Sequence, residues 1–148
     1  MRVKLDQIIT SIKEFSPNSK LNEAFLGNIL SFIHETLSKD SWVGIYRFND
    51  DELILSTFQG TPACEVIKIG KGVVGTSFKK EEVIYVNDVS KIENYICCDE
   101  KAKSEICLPL YKNNIVVAIL DIDLPFVHDF KDEVEQYKTI AKIVEQFI

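Results

Sequence analysis

The hydrophobic period of this chain changes twice along its length, and that change restricts the possible folds more than any other feature. Near the N-terminus Leu5, Ile8, Ile9, Ile12 and Phe15 recur at the i, i+3, i+4, i+7 spacing of one helix face, which stops before Pro17. A second stripe of Leu21, Phe25, Ile29, Ile33 and Leu37, capped by Asn18 or Ser19, predicts a helix over residues 19–37. The C-terminal end mirrors this, with Asp129 as cap followed by Phe130, Val134, Tyr137, Ala141 and Val144, a helix over residues 129–147. Between the helices the period falls to two. Trp42, Gly44, Tyr46 and Phe48 share a strand face, and a turn at Asn49-Asp50-Asp51 leads into a strand over residues 52–57. Residues 65–69 and 83–86 read as short strands, and residues 106–111 and 115–123 as a hairpin over Lys112-Asn113-Asn114. Helices at both ends of a largely antiparallel sheet predict an α+β fold, with the terminal helices packed on one face of a sheet spanning residues 42–123.

Length makes residues 1–148 a single domain, large enough to bury a core without staples. Seventeen basic against twenty-three acidic residues give a net charge of −6, which repels phosphate, so nucleic acid and anionic membrane are not expected partners. The longest apolar run, the six residues 115–120, is far short of the roughly 20 that span a bilayer. The N-terminus lacks the apolar core of a signal peptide, and a cytosolic location is expected.

Three features bear on chemistry. Gly70-Lys71-Gly72-Val73-Val74-Gly75 matches GxGxxG, and Asp88 lies 18 residues after Gly70. No further βα units follow to build a doubly wound sheet, so the glycines are expected to serve a tight turn with close backbone approach. Asp121 and Asp123 stand two apart at the end of an apolar strand, hence on one face. With a three-residue turn Glu105 comes opposite Asp121, whereas a two-residue turn would put Glu105 on the other face. The patch is then either an exposed acidic strand end or a crowded cluster, compensated by a shared proton, an ammonium group or a divalent metal.

The four cysteines, Cys64, Cys97, Cys98 and Cys107, form no CxxC, and neither His34 nor His128 has a cysteine within four residues. The spacing of a structural zinc site is therefore absent. In a cytosolic chain each is a core thiol or a chemical one. Cys107, within Ile106-Cys107-Leu108-Pro109, reads as a buried strand thiol. Cys97-Cys98 falls in residues 90–104, a stretch without period, and loops of that length inside a domain tend to be functional. A solvent-accessible loop thiol becomes a nucleophile when its pKa is lowered, and Lys101 and Lys103 are near it in sequence.

Six segments recur in an order that carries a family resemblance. They are Trp42-Val43-Gly44-Ile45-Tyr46, Phe58-Gln59-Gly60-Thr61-Pro62-Ala63-Cys64, Gly70-Lys71-Gly72-Val73-Val74-Gly75-Thr76, Ile96-Cys97-Cys98-Asp99, Ser104-Glu105-Ile106 and Leu120-Asp121-Ile122-Asp123-Leu124-Pro125. Together, with Cys98 standing 34 positions after Cys64, they resemble the free methionine-(R)-sulfoxide reductases, a catalytic branch of the GAF-domain family.

The resemblance implies a GAF fold and a catalytic role for Cys98 as nucleophile, with Cys64 as resolving thiol. Trp42, Glu105, Asp121 and Asp123 correspond to the residues that line the pocket around free methionine sulfoxide. The substrate's ammonium group would then neutralise the acidic cluster, and one protonated carboxyl could serve the sulfoxide oxygen. The implied sequence is thiolate attack on sulfur, release of methionine, condensation of the sulfenic acid with a second thiol, and reduction by thioredoxin or a similar dithiol. No organic cofactor or metal is implied, and a homodimer paired through the flanking helices is. The chain departs from the pattern at Val74, where the family's third cysteine stands, and at Cys97, an additional thiol where a small residue is usual. Lys101 and Lys103 also replace residues that are more often small and polar. The alternative is a ligand-sensing GAF domain without catalysis, which would have little use for Cys64 and Cys98.

Overall fold

A computed structural model describes residues 1–93, 95 and 99–148. The described residues form four α-helices, α1 (Arg2–Lys13), α2 (Asn22–Leu37), α3 (Gly72–Lys80) and α4 (Val134–Glu145), and six strands. The strands are β1 (Trp42–Asn49), β2 (Glu52–Gln59), β3 (Val66–Lys68), β4 (Ile84–Val86), β5 (Ser104–Lys112) and β6 (Ile115–Leu124). They make one sheet of order β3-β2-β1-β6-β5-β4 in which every neighbouring pair is antiparallel. The α+β expectation holds.

The period-two pattern explains the layering. Along β6, Ala118, Leu120, Ile122 and Leu124 join a core with Leu5, Ile8, Leu26, Ile29, Leu30, Ile33, Tyr137, Ile140 and Val144 from α1, α2 and α4. The alternate residues face the other way, where Ile119 packs with Trp42, Tyr46, Leu53, Cys107, Val73 and Val74, beneath α3. The terminal helices therefore cover one face, as expected, and α3 with the loops around it covers the other. Each fully buried aliphatic side chain of the first core contributes roughly 1.5–3 kcal/mol relative to exposure.

The helix caps differ from expectation. α2 starts at Asn22 with Leu21 extended before it, because the Ser19 hydroxyl accepts the Leu21 N–H (3.3 Å) in a local turn instead of capping the helix. Asp129 Oδ1 accepts the Lys131 N–H (3.0 Å) and heads a short 3₁₀ turn, Lys131–Glu133, that runs into α4. That turn seats Phe130, fully buried, edge-on against Tyr137.

The β5–β6 hairpin corrects the expected register. Its turn has two residues, with Asn113 (φ 53°) and Asn114 (φ 64°) both left-handed and Lys112 paired with Ile115. A two-residue turn alone would carry Glu105 to the wrong face. Between Tyr111–Val116 and Leu110–Ala118 the pairing skips Val117, a β-bulge that shifts the register by one and reverses that consequence. Glu105 thus pairs with Asp123 rather than Asp121, and Cys107 pairs with Asp121.

The glycines of the GxGxxG stretch serve close approach, as expected. Gly70 is left-handed (φ 81°), and its N–H donates to the Gly75 carbonyl at 2.8 Å. A Cβ on Gly75 would lie 2.4 Å from the Lys68 carbonyl oxygen, so α3 could not seat against the end of β3 with any larger residue there.

Candidate active site

The site is built on the α3-covered face of the sheet, where two rungs of the β5–β6 ladder place four functional side chains in a two-by-two array. Glu105 and Asp123 form one rung, Cys107 and Asp121 the next. All four are buried: Glu105, Asp121 and Asp123 retain 5%, 5% and 6% of their surface, and Cys107 none. The exposed acidic strand end is thereby excluded, and the crowded cluster is what the structure contains.

Burial raises the affinity of these carboxyls for protons. Asp121 and Asp123 are pushed well above the ordinary carboxylate range, chiefly by loss of water, with the charges of Asp123 and Glu105 adding at Asp121 and those of Glu105 and Asp99 adding at Asp123. Glu105 is raised by the same desolvation but is partly relieved by hydrogen bonds from Asp121, Tyr95 and Cys107. The Tyr95 hydroxyl donates to Glu105 Oε2, and the Cys107 thiol lies 3.4 Å from Glu105 Oε1. All three carboxyls are thus biased toward their protonated forms, Glu105 less strongly than the two aspartates. The Cys107 thiol, enclosed by acids, is held far from ionisation and cannot act as a nucleophile. Among the described residues, Asp123 Oδ1 is buried without a hydrogen-bond partner.

A cavity of about 20 Å³ opens over this array, room for about one water. Its walls are Glu105, Asp121 and Asp123, the rings of Tyr46 and Tyr95, and the start of α3 at Lys71 to Val74. Tyr46 is anchored by its hydroxyl, which donates to the Cys64 carbonyl at 2.9 Å. Its own ionisation is suppressed by burial and by the neighbouring carboxyls.

Trp42 supports this wall from behind. Its ring stacks on Phe58 (centroids 5.4 Å) and on Tyr46 (6.1 Å), and its indole N–H donates to the Thr61 carbonyl at 2.9 Å. The indole lies across Gly44, where a Cβ would fall 2.3 Å from Cη2. Tyr46 lines the cavity and Trp42, only 1% exposed, stands behind it.

The thiols divide as follows. Cys64 packs at the edge of the second core and is disulfide-bonded, whereas Cys107 is free. Cys97 and Cys98 lie outside the described residues. Asp99, immediately after them, is 4% exposed, and its Oδ1 accepts the Thr61 hydroxyl and the Lys101 N–H, each at 3.1 Å. Thr61 also receives the Trp42 indole N–H, so the segment of Cys64 and the segment after Cys98 are tied at the site. Lys101 turns to the surface and pairs with Asp40 at 3.0 Å. Val74 is on the cavity wall.

Sequence reasoning missed Tyr46, Tyr95 and Asp99. Tyr46 shares a strand face with Trp42 and was legible as buried, but its partner is a backbone carbonyl 18 residues away. For Tyr95 no local pattern exists.

No family model matches the sequence. Among curated proteins, the free methionine-R-sulfoxide reductase of Escherichia coli is 40% identical over 113 residues, 76% of this chain and 68% of that one. Among solved structures, a free methionine-R-sulfoxide reductase from Neisseria meningitidis in complex with its substrate superposes with a TM-score of 0.81 at 30% identity, covering 99% of this chain and 86% of that one. A GAF-domain structure superposes with a TM-score of 0.82 at 32% identity, covering 98% and 87%. With the α+β layering and the acid-lined cavity already in place, these likenesses show that the chain belongs to the free methionine-(R)-sulfoxide reductase family of GAF domains.

Proposed function

We propose that this chain reduces free methionine-(R)-sulfoxide to methionine. The observation that carries this reading is the buried Glu105–Asp121–Asp123 cluster facing one cavity, with Asp123 Oδ1 lacking a partner. A free amino acid brings an ammonium group, and that group supplies the hydrogen bonds and positive charge the carboxyls lack. A methionine sulfoxide residue inside a protein has no ammonium to offer, so the same cluster selects the free amino acid.

In the proposed reaction the Cys98 thiolate attacks the sulfoxide sulfur while a proton held on one of the aspartates passes to the sulfoxide oxygen. Methionine leaves with the sulfur's lone pair restored, and Cys98 carries the oxygen as a sulfenic acid. The Cys64 thiol displaces that oxygen as water and forms a disulfide, which a thioredoxin-type dithiol reduces by exchange. The Cys64 carbonyl accepts the hydroxyl of Tyr46 on the cavity wall, and its bonded state accords with a resolving thiol. The cavity must widen to take a substrate. Tyr95 is the side chain whose hydroxyl occupies Glu105 in the closed form, and the ammonium takes its place there.

The reductant places the chain in a reducing compartment such as the cytosol, and among the described residues no helix is long and apolar enough to cross a membrane. Pairing of two copies through the helical layer belongs to the same reading; exposed Val3 on α1 and Leu21 before α2 lie there.

The deciding experiment is thiol-dependent loss of free methionine sulfoxide, followed separately for the R and S epimers and for a peptide-bound sulfoxide. Reduction of the free R epimer is expected. Activity on neither epimer, with the fold intact, would leave a ligand-binding GAF domain.

A further inference from the structure

The two thiols of the proposed reaction belong to stretches of chain far apart in sequence, and one side chain joins those stretches. Residues 60–64 lie in the loop between β2 and β3, and two aromatic side chains of β1 hold that loop down. Gly60 (φ 130°) approaches Trp42 so closely that a Cβ there would fall 2.6 Å from Cδ1. The Trp42 indole N–H donates to the Thr61 carbonyl at 2.9 Å, and the Tyr46 hydroxyl to the Cys64 carbonyl at 2.9 Å. The stretch after Cys98 is anchored elsewhere. The Ala102 N–H donates to the Asp99 carbonyl (3.1 Å) and the Lys103 N–H to the Leu124 carbonyl (2.8 Å), which fixes the stretch to the end of β6. The two stretches meet where the hydroxyl of half-buried Thr61 donates to Asp99 Oδ1 at 3.1 Å. Asp99 itself is buried.

We propose that Thr61 is a positioning residue for the thiol-to-thiol step: through Asp99 it holds the chain that carries Cys98 in register with the chain that carries Cys64, and so sets how fast the sulfenic acid is resolved. The inference deepens the reduction reading above and rests on its assignment of the two thiols. In this step the Cys64 sulfur attacks the Cys98 sulfur. An S–S bond forms, the S–O bond breaks, and the hydroxyl leaves as water with the Cys64 proton. The step needs the two Cα atoms within about 7 Å of each other. Thr61 is three residues from Cys64, and Asp99 is the chain neighbour of Cys98, so the hydrogen bond between them restrains both thiol-bearing stretches. Such a restraint raises the effective concentration of one thiol at the other without touching either. The cavity wall does not include Thr61, so attack on the sulfoxide does not depend on its hydroxyl.

The test uses the full chain carrying Cys97→Ser, so that Cys97 does not compete for the sulfenic acid. Thr61→Val keeps the shape of the side chain and removes the donor. Mixed with free methionine-(R)-sulfoxide, the reduced variant should release its first methionine within about twofold of the parent rate. Disulfide formation, followed by quenched mass spectrometry, should slow by about 10-fold, the effect of losing a hydrogen bond to a carboxyl oxygen. A dimedone-type probe should then trap sulfenic acid that the parent does not accumulate. Thr61→Ala should show the same lag, and Thr61→Ser, which restores the hydroxyl, should remove it. Thermal unfolding of the reduced protein checks that each variant folds. Hydrogen peroxide makes the same sulfenic acid by giving one oxygen to the thiolate and leaving as hydroxide, and the lag should reappear with it. That arm separates the two readings: a lag with peroxide in a protein that releases no methionine from the sulfoxide keeps the tie and removes the reduction reading. Disulfide formation at the parent rate in Thr61→Val, an equal slowing of methionine release, or a lag that Thr61→Ser does not repair overturns the proposal.

Discussion

The two faces of one sheet follow opposite rules. Toward α1, α2 and α4 the side chains are almost entirely aliphatic or aromatic, and the packing explains itself by apolar burial. Toward α3 the same strands bury three carboxyls, a thiol and Tyr46, and the half-buried Tyr95 lines the same cavity. Neighbours on β6 make the contrast sharpest: Leu120 and Asp121 differ by one position, face opposite ways, and both are buried. One face holds the fold together. The other retains groups that burial disfavours, and such groups persist in a domain when a ligand needs them.

The largest expected separation of the two faces is in turnover. Cys98→Ser should abolish reduction outright, and Cys64→Ser should limit the enzyme to roughly one turnover with a dithiol-specific reductant, because the sulfenic acid then lacks its internal partner. Cys64→Ser should leave the unfolding temperature of the reduced protein nearly unchanged, since Cys64 packs outside the helix-covered core. Single-turnover methionine release against steady-state rate checks this, and sustained turnover in Cys98→Ser would reassign the nucleophile. By contrast Leu120→Ala should cost about 2–5 kcal/mol of stability. At low temperature it should retain kcat/KM within a few-fold.

The carboxyls should show the next largest effect, and with opposite signs for the two quantities. Asp123→Asn or Glu105→Gln should lower kcat/KM by about 100-fold, the loss of a charged hydrogen bond to the ammonium. Each should also raise stability at neutral pH by roughly 0.5–2 kcal/mol, a gain typical of relieving a functional site. The sign follows from the raised carboxyl pKa values. Below the ordinary carboxylate range, folded and unfolded chains are equally protonated and the cluster costs nothing. As pH rises, the unfolded chain releases these protons while the folded one retains them, so this contribution to stability is lost progressively up to the folded pKa values. Ligand-free wild type should therefore lose stability from about pH 4 upward, and Asp123→Asn should flatten that slope. A steeper slope in the variant would mean the cluster is ionised and compensated in another way.

How much of this was legible in the sequence depends on which kind of interaction places a residue. The helices and strands were legible because periodicity is local. So was the shared face of Asp121 and Asp123, which needs only the strand's alternation. That Glu105 joins them was reached by a three-residue turn, yet the chain arrives by a two-residue turn plus a bulge at Val117. The two one-residue shifts add up to two, which restores the face while moving the partner of Glu105 from Asp121 to Asp123, and nothing in the sequence marks the bulge. The caps failed at Ser19 for a related reason, since a hydroxyl can serve a turn as well as a helix start. The place of Cys107 inside the cluster needed the cross-strand register, which composition does not carry. Tyr46, Tyr95 and Asp99 were beyond reach because their roles are hydrogen bonds to residues 10 to 38 positions away.

The smallest expected effect concerns Tyr95, the point where the site face closes on itself. Its hydroxyl donates to Glu105, and burial beside the carboxyl cluster keeps the phenol from ionising. It does for Glu105 what the proposed reading assigns to the substrate's ammonium. Tyr95→Phe keeps the ring on the cavity wall and removes only the donor. The free protein then leaves Glu105 one hydrogen bond short, at a cost of about 1–3 kcal/mol in stability. The bound form loses nothing, because the ammonium has already displaced the hydroxyl. Substrate no longer competes with an internal donor, so KM should fall several-fold while kcat stays within twofold. Unfolding measured with and without methionine sulfoxide should show the variant's deficit only in its absence. If KM rises instead, the hydroxyl contacts the bound substrate and Tyr95 belongs to the binding surface rather than to the closure of the empty pocket.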